Sequence, residues 1–174
     1  MARDVMKSFG EEPGTGKLYA VCVVLAVIAH FLPWRLTTAL GMLLEKTDMG
    51  FKIGALGVIS GTALIAAMAG FAHSLLAELT QAGRRKLTLL LVALTAVAAV
   101  LQLVFFFRTG GAQQTPIRGF TLASPESAAW GFYIALLATL AAVVLGVLRM
   151  KSLPSAAPEA PAPAPPSAPP ANPQ

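Results

Sequence analysis

The sequence is poor in the residues that carry most protein chemistry. It has one cysteine and two histidines in 174 residues, and only 12% of its residues are charged. The single cysteine, Cys22, excludes an intramolecular disulfide. The chain contains no GxxxxGK[ST], HExxH, GxSxG or CxxC motif, and its GEEPGTGK segment lacks the spacing of a phosphate-binding loop. We therefore expect a protein that is not an enzyme.

Hydrophobic residues are abundant instead. They make up 56% of the chain, and the mean hydropathy is +0.69. This composition is typical of an integral membrane protein. The net charge is +5, but the positive residues flank hydrophobic runs, which favours anchoring at a membrane surface. The expected partner is the lipid bilayer, and no nucleic acid is expected.

Four apolar runs approach the length of a membrane span, which is about 20 residues. They cover residues 18–32, 53–72, 87–107 and 130–148. The pattern predicts an all-α protein, a four-helix transmembrane bundle over residues 18–149 that follows a cytoplasmic segment at 1–17. A cleaved signal peptide is the competing interpretation of the first run, but no small-x-small cleavage site follows it.

The distribution of positive charge predicts the orientation. One side of the membrane would hold eight positive residues, namely Arg3, Lys7, Lys17, Arg84, Arg85, Lys86, Arg149 and Lys151. The other side would hold five, namely Arg35, Lys46, Lys52, Arg108 and Arg118. Because positive residues are enriched on the cytoplasmic side, both termini are predicted to be cytoplasmic. The alanine and proline bias favours a bacterium with a GC-rich genome, and hence the bacterial inner membrane.

Two segments would connect the spans on the outer side. In the first, Leu36, Leu40, Leu43 and Leu44 fall on one helical face, which predicts a short helix in the membrane interface. Alternatively, the first span continues as a tilted helix that is kinked at Pro33. The second connection, 108–129, is rich in turn residues and too short to form a domain of its own.

The C-terminal segment, 150–174, differs in composition from the rest. Residues 154–174 contain nine prolines and seven alanines. Such a segment cannot build a core, so we predict a disordered, Pro/Ala-rich cytoplasmic tail.

Small residues recur along two of the spans. The second span has Gly57 and Gly61 at a four-residue spacing, and the fourth has a stripe of five, Gly131, Ala135, Ala138, Ala142 and Gly146. Small residues let helices approach closely in lipid, so these two helices are predicted to form the tightest pair. The same faces suggest a non-enzymatic accessory or scaffold subunit that binds a protein partner or a second copy. Use of these faces within the monomer is the alternative.

Polar residues in the third span are spaced seven apart. Thr88, Thr95 and Gln102 therefore share one helical face, which is expected to point inward because an amide in lipid is unfavourable. They would hydrogen-bond the helices together or, in a second hypothesis, line an oligomeric channel or carrier.

The two histidines raise the hypothesis of a haem-binding or electron-transfer subunit with a b-type haem. His30 is predicted in the outer half of the membrane and His73 near its cytoplasmic surface. One haem cannot bridge that separation, so only a site with a single histidine would be compatible with this depth. No cofactor is expected under the leading hypothesis.

Overall fold

Helices form most of the structure. The structure is a computed structural model, and it describes residues 5–39, 44–77, 79–109, 112–117 and 120–153. Its helices are α1 (Val5–Glu11), α2 (Gly14–Ala29), α3 (Ala55–Leu76), α4 (Gln81–Arg108) and α5 (Trp130–Ser152). Within these residues α3, α4 and α5 are long and apolar enough to cross a membrane, and α2 is a shorter apolar helix. The prediction of a mainly helical chain is thus confirmed, and three of its helices have the length and composition of membrane spans. The predicted tail at 154–174 lies outside the described residues.

Local sequence signals explain several helix boundaries. After α2 ends at Ala29, the chain reaches Pro33, and a proline disfavours helical geometry in the residue before it. Helix α3 starts after Gly54, whose φ of +91° suits glycine because it has no Cβ. Helix α4 is capped by the Thr80 hydroxyl, which accepts the Gly83 N–H at 3.2 Å.

The four longer helices pack in a ring. Helix α2 contacts α3 and α5, and helix α4 contacts the same two helices. The predicted close pairing of the second and fourth spans, α3 with α5, is therefore wrong. The reason is visible at Gly146 of α5, where an added Cβ would lie 2.7 Å from Val92 of α4 and 3.3 Å from Tyr19 of α2. At this position α5 receives side chains from α2 and α4 rather than from α3.

Atoms of the same chain fill the space beside the small residues of α3 and α5. A Cβ at Gly57 would collide with the backbone carbonyl of Gly50, and one at Gly61 would enter the ring of Phe51. A Cβ at Gly131 would lie 2.5 Å from the carbonyl oxygen of Pro33. Of the remaining residues of the stripe, Ala135 and Ala142 are fully buried, and Ala138 packs against a buried cluster at mid-height.

The core has large side chains at both ends and small ones between them. The end beside α1, which we label the inner end, contains Tyr19, Val23, Phe71, Leu75 and Leu91, with Ala67 and Ala142. The opposite end, which we label the outer end, contains Trp34, Phe105 and Phe132, with Ala29 and Ala135. The middle is built from Ala26, Ala63, Leu64 and Ala98. This narrow middle brings the helix backbones close together, which lets short polar side chains reach across from one helix to the next.

A four-stranded antiparallel sheet forms the outer side. Its strands are β1 (Pro33–Ala39), β2 (Leu44–Met49), β3 (Ala112–Ile117) and β4 (Phe120–Ala128), in the order β2-β1-β4-β3. The all-α prediction missed this sheet. Where the first connection is described, it forms strands, so neither the predicted interfacial helix nor a continuous kinked span is present. Strands β1 and β4, which belong to the two separate connections, pair with each other. Their cross-strand hydrogen bonds give partners to backbone N–H and C=O groups that would have none in a single short segment.

Arg35 ties three strands of the sheet together. From β1, its Nη2 lies 2.6 Å from Oδ2 of Asp48 on β2, and its Nη1 lies 3.4 Å from Oε1 of Glu126 on β4. The hydrogen bond from the Arg35 guanidinium is the main cause that holds the pKa of Asp48 below its usual value. Lys46 adds a longer contact, 3.6 Å from Asp48.

Gly57→Ala is expected to destabilise the protein by about 1 to 3 kcal/mol, because the new methyl group forces the Gly50 backbone to move. Thermal unfolding in detergent measures the effect. Gly14→Ala is the matched control, since no neighbouring atom lies within 4 Å of its added Cβ. Equal stability of the two variants would contradict the packing described here.

Asp48→Asn is expected to lower the stability of the outer sheet by about 1 kcal/mol at neutral pH. The folded-state pKa of Asp48 is lowered, so its contribution is complete above the usual carboxyl pKa and is lost as pH falls through the lowered pKa. Unfolding followed by tryptophan fluorescence at pH 7 and in acid tests both points. Lys46→Gln should lower the stability by less, because Lys46 is an exposed partner of Asp48. An Asp48→Asn effect that persists in acid would contradict this account.

Candidate functional site

A chain of buried polar side chains crosses the centre of the helices. Gln102 of α4 donates from Nε2 to Ser60 Oγ of α3 at 3.2 Å and to Thr139 Oγ1 of α5 at 3.0 Å. Ser60 Oγ in turn lies 3.2 Å from Nε2 of His30, the residue that follows α2. All four residues are 0% exposed. We call His30, Ser60, Gln102 and Thr139 the central network; it joins the four longer helices.

The direction of each hydrogen bond in the central network follows from its partners. Nδ1 of His30 lies 2.7 Å from the carbonyl oxygen of Ala26, which only accepts, so Nδ1 carries the proton. In a neutral imidazole Nε2 is then an acceptor, and the Ser60 hydroxyl donates to it. The Ala98 carbonyl, at 3.5 Å from Ser60 Oγ, is the more distant acceptor for the same proton. On the other branch, Thr139 donates to the Ala135 carbonyl at 2.7 Å.

The central network therefore starts at the Gln102 amide and ends at backbone carbonyls. Both amide hydrogens of Gln102 are used, whereas its Oε1 has no hydrogen-bond partner within the described residues. Exchanging the amide oxygen and nitrogen would not help, because Thr139 already donates its proton to Ala135. The arrangement holds the helices in register, and Oε1 of Gln102 remains a buried acceptor without a partner within the described residues.

Aromatic side chains cover the outer end of the central network. The Trp34 ring lies 4.3 Å from the His30 ring, and the Phe51 ring lies 5.3 Å from it. Trp34 belongs to β1, yet it is 1% exposed and donates from Nε1 to the Ala29 carbonyl at 2.8 Å. Phe132 packs edge-on against Trp34 at 5.4 Å. The sheet thus supplies an aromatic ring that covers His30.

The polar residues predicted on α4 face inward but do not form one path. Thr95 donates its hydroxyl to its own helix, at the carbonyls of Leu91 and Val92. Thr88 is buried near the inner end, and Gln102 belongs to the central network. The cavity of about 200 Å³ at the inner helix ends is lined by Thr88 and by neither Thr95 nor Gln102.

The two histidines lie at opposite ends of α3. His30 packs beside Phe51, before α3 begins, whereas His73 is exposed in the last turn of α3. Thirteen residues of helix, roughly 20 Å, separate His73 from Ser60, which the His30 ring contacts. Both ring nitrogens of His30 are hydrogen-bonded. In the described part of the chain, no three His, Cys, Asp or Glu side chains are grouped as a metal site.

Comparison with models of known protein families, with curated proteins and with solved structures found no match. The central network is accordingly interpreted from its own geometry.

Sequence reasoning selected His30 and Gln102 but missed the two hydroxyls that connect them to the other helices. Ser60 lies within the Gly/Ala-rich second span, and Thr139 lies beside Ala138 of the small-residue stripe. The sequence feature that could have indicated each of them is a hydroxyl side chain on a helix face that otherwise carries small apolar residues. The burial of Trp34 against His30 was not predicted either.

Ser60→Ala is expected to destabilise the protein by about 1 to 3 kcal/mol, because it leaves Nε2 of His30 and one amide hydrogen of Gln102 without a partner. Thr62→Ala is the matched control on the same helix, since Thr62 is exposed and bonds only its own backbone. Its effect should stay within about 0.5 kcal/mol. Chemical unfolding in detergent compares the two variants, and similar losses would show that Ser60 does not join the helices.

Proposed function

We propose that the protein is a non-enzymatic accessory or scaffold subunit of a membrane assembly. In this proposal α2, α3, α4 and α5 each cross the bacterial inner membrane, with both termini in the cytoplasm. Helix α2 is short for a span, at 16 residues. The polar β1 strand follows it directly on the outer side, and Lys17 near its start can extend toward the inner surface.

The central network is the observation that carries this proposal. Its donors end at the backbone carbonyls of Ala26 and Ala135, so its hydrogen-bonding capacity holds helices together instead of facing a substrate. Polar groups that line a transport path need to exchange partners with the solute. A rigid connection among four helices suits a protein whose task is to present fixed surfaces.

The partner-binding surface of this proposal differs from the one expected from sequence. The Gly/Ala faces of α3 and α5 pack within the chain. A partner would therefore contact the outer sheet or the large side chains on the outside of the helices. Thr47 on β2 and Leu137 on α5 are exposed examples of these two surfaces.

The two other hypotheses have less support. A channel lined by the polar face of α4 would need Thr95 and Gln102 to leave their present partners. A haem bound by His30 would need it to give up a hydrogen bond and open a packed aromatic cluster. Neither hypothesis is favoured by a specific contact.

Photocrosslinking tests the assembly proposal and locates the surface. A photoreactive residue at Thr47 or at Leu137 is expected to capture a defined partner subunit in intact membranes, while one at exposed Leu89 near the inner end of α4 serves as a positional control. Native mass spectrometry of the wild-type protein in mild detergent should then show the same complex. A strict monomer with no crosslinked partner at either position would contradict the proposal.

A further inference from the structure

An apolar groove lies between α2 and α3 near the inner end, beside α1. Its volume is about 160 Å³, and all the side chains that line it are apolar. Val23 of α2 and Phe71 of α3 are buried and form its floor, whereas Val24 and Met68, at 39% and 38% exposed, stand at its edge. The groove therefore opens on the outside of the helices, where α2 also exposes Leu25.

Small side chains on two neighbouring helices leave this space. Ala20 of α2 and Ala72 of α3 both line the groove. An apolar cavity of about 150 Å³ is large enough to hold benzene, so the groove has room for about six carbon atoms of a hydrocarbon chain. Because the groove opens on the outside of helices that cross the membrane in the proposed orientation, lipid hydrocarbon is the medium that meets it.

A positive charge is held at the inner end of the groove. Lys17 lies on the same face of α2 as Ala20 and Val24, at helical spacings of three and four residues. Its Nζ donates to the carbonyl oxygen of Gly10 at 2.8 Å. Gly10 directly follows Phe9, which lines the groove from α1. The ammonium group is thus fixed beside the groove, with two of its three hydrogens left for other acceptors.

The acidic residues closest to Lys17 in sequence are directed elsewhere. Within the described residues Lys17 forms no ion pair with a carboxylate. Glu12 pairs instead with Arg149 at 2.9 Å, and Glu11 borders a separate polar cavity beside Arg84. A negatively charged group from outside the chain would therefore meet an uncompensated charge at Lys17.

We propose that the groove binds one anionic phospholipid, with part of an acyl chain between Ala20 and Ala72 and the phosphate at Lys17. A phospholipid carries both parts that the site matches, an apolar chain next to a negative charge. Burial of acyl methylenes supplies affinity, and the lysine supplies the preference for a negative headgroup. Anionic lipids belong to the cytoplasmic leaflet, where this end lies in the proposed orientation. The inference rests on that orientation and not on a partner subunit.

Native mass spectrometry of the full chain in mild detergent tests the site, with phosphatidylglycerol and phosphatidylcholine of the same acyl chains as probes. The wild-type protein is expected to retain one phosphatidylglycerol in preference to phosphatidylcholine. Lys17→Gln should weaken binding of phosphatidylglycerol roughly fivefold and leave that of phosphatidylcholine unchanged. Lys86→Gln is the matched control, because it removes the same charge from the inner end of α4, outside the groove. Equal retention of the two lipids by the wild-type protein, or wild-type preference in Lys17→Gln, overturns the proposal.

Ala72→Phe tests the groove itself, because the new ring would occupy the space of the acyl chain. It is expected to lower retention of both lipids roughly tenfold. Ala69→Phe, at an exposed alanine of α3 outside the groove, should bind like the wild type. Thermal unfolding checks that both variants are folded, and Lys17→Gln decides the question if Ala72→Phe is not.

Wild-type lipid retention by folded Ala72→Phe overturns the proposal. If the same variant dissociates a dimer and still retains lipid, the groove is an interface with a second copy instead. These outcomes are separate from the photocrosslinking result, since lipid retention is measured on the isolated chain.

Discussion

The structure depends on the pairing of polar side chains that lie among apolar helices. An unpaired amide or imidazole in such surroundings is strongly unfavourable. Apart from Oε1 of Gln102, the polar side-chain atoms of Gln102, Ser60, His30 and Thr139 find partners only when α2, α3, α4 and α5 stand in one register. The small residues at mid-height make that register reachable, because they bring the backbones close enough for short hydroxyl side chains to bridge them. Packing and hydrogen bonding therefore specify the same arrangement.

Hydropathy predicted the helical part of the fold well. The helices α3, α4 and α5 lie where the long apolar runs are, because those runs have the length and composition that a membrane span requires. The outer sheet was not predictable in the same way. Its strands β1 and β4 are far apart in sequence, and the leucine spacing in the first connection also fits a helix. Only the pairing of the two connections decides between these structures.

The buried site was predictable in part. Inward placement of Gln102 follows from the unfavourable energy of an amide in lipid, and sequence alone supports it. Its partners are set by which helices are neighbours, and the small-residue pattern indicated the wrong pair because glycine accepts a side chain from any direction. Gly146, for example, receives Tyr19 and Val92 instead of a residue of α3. The buried ion pair of Arg149 with Glu12 was not predictable either, because the two residues are 137 positions apart in sequence.

The tautomer of His30 tests the central network most directly. Nitrogen NMR of ¹⁵N-histidine-labelled protein reports which ring nitrogen carries the proton, and a His73→Gln background leaves His30 as the sole histidine. The account predicts a proton on Nδ1, donated to Ala26, and an unprotonated Nε2 that accepts from Ser60. A proton on Nε2 would contradict it, because an unprotonated Nδ1 would then face the Ala26 carbonyl oxygen at 2.7 Å, and neither atom could donate to the other.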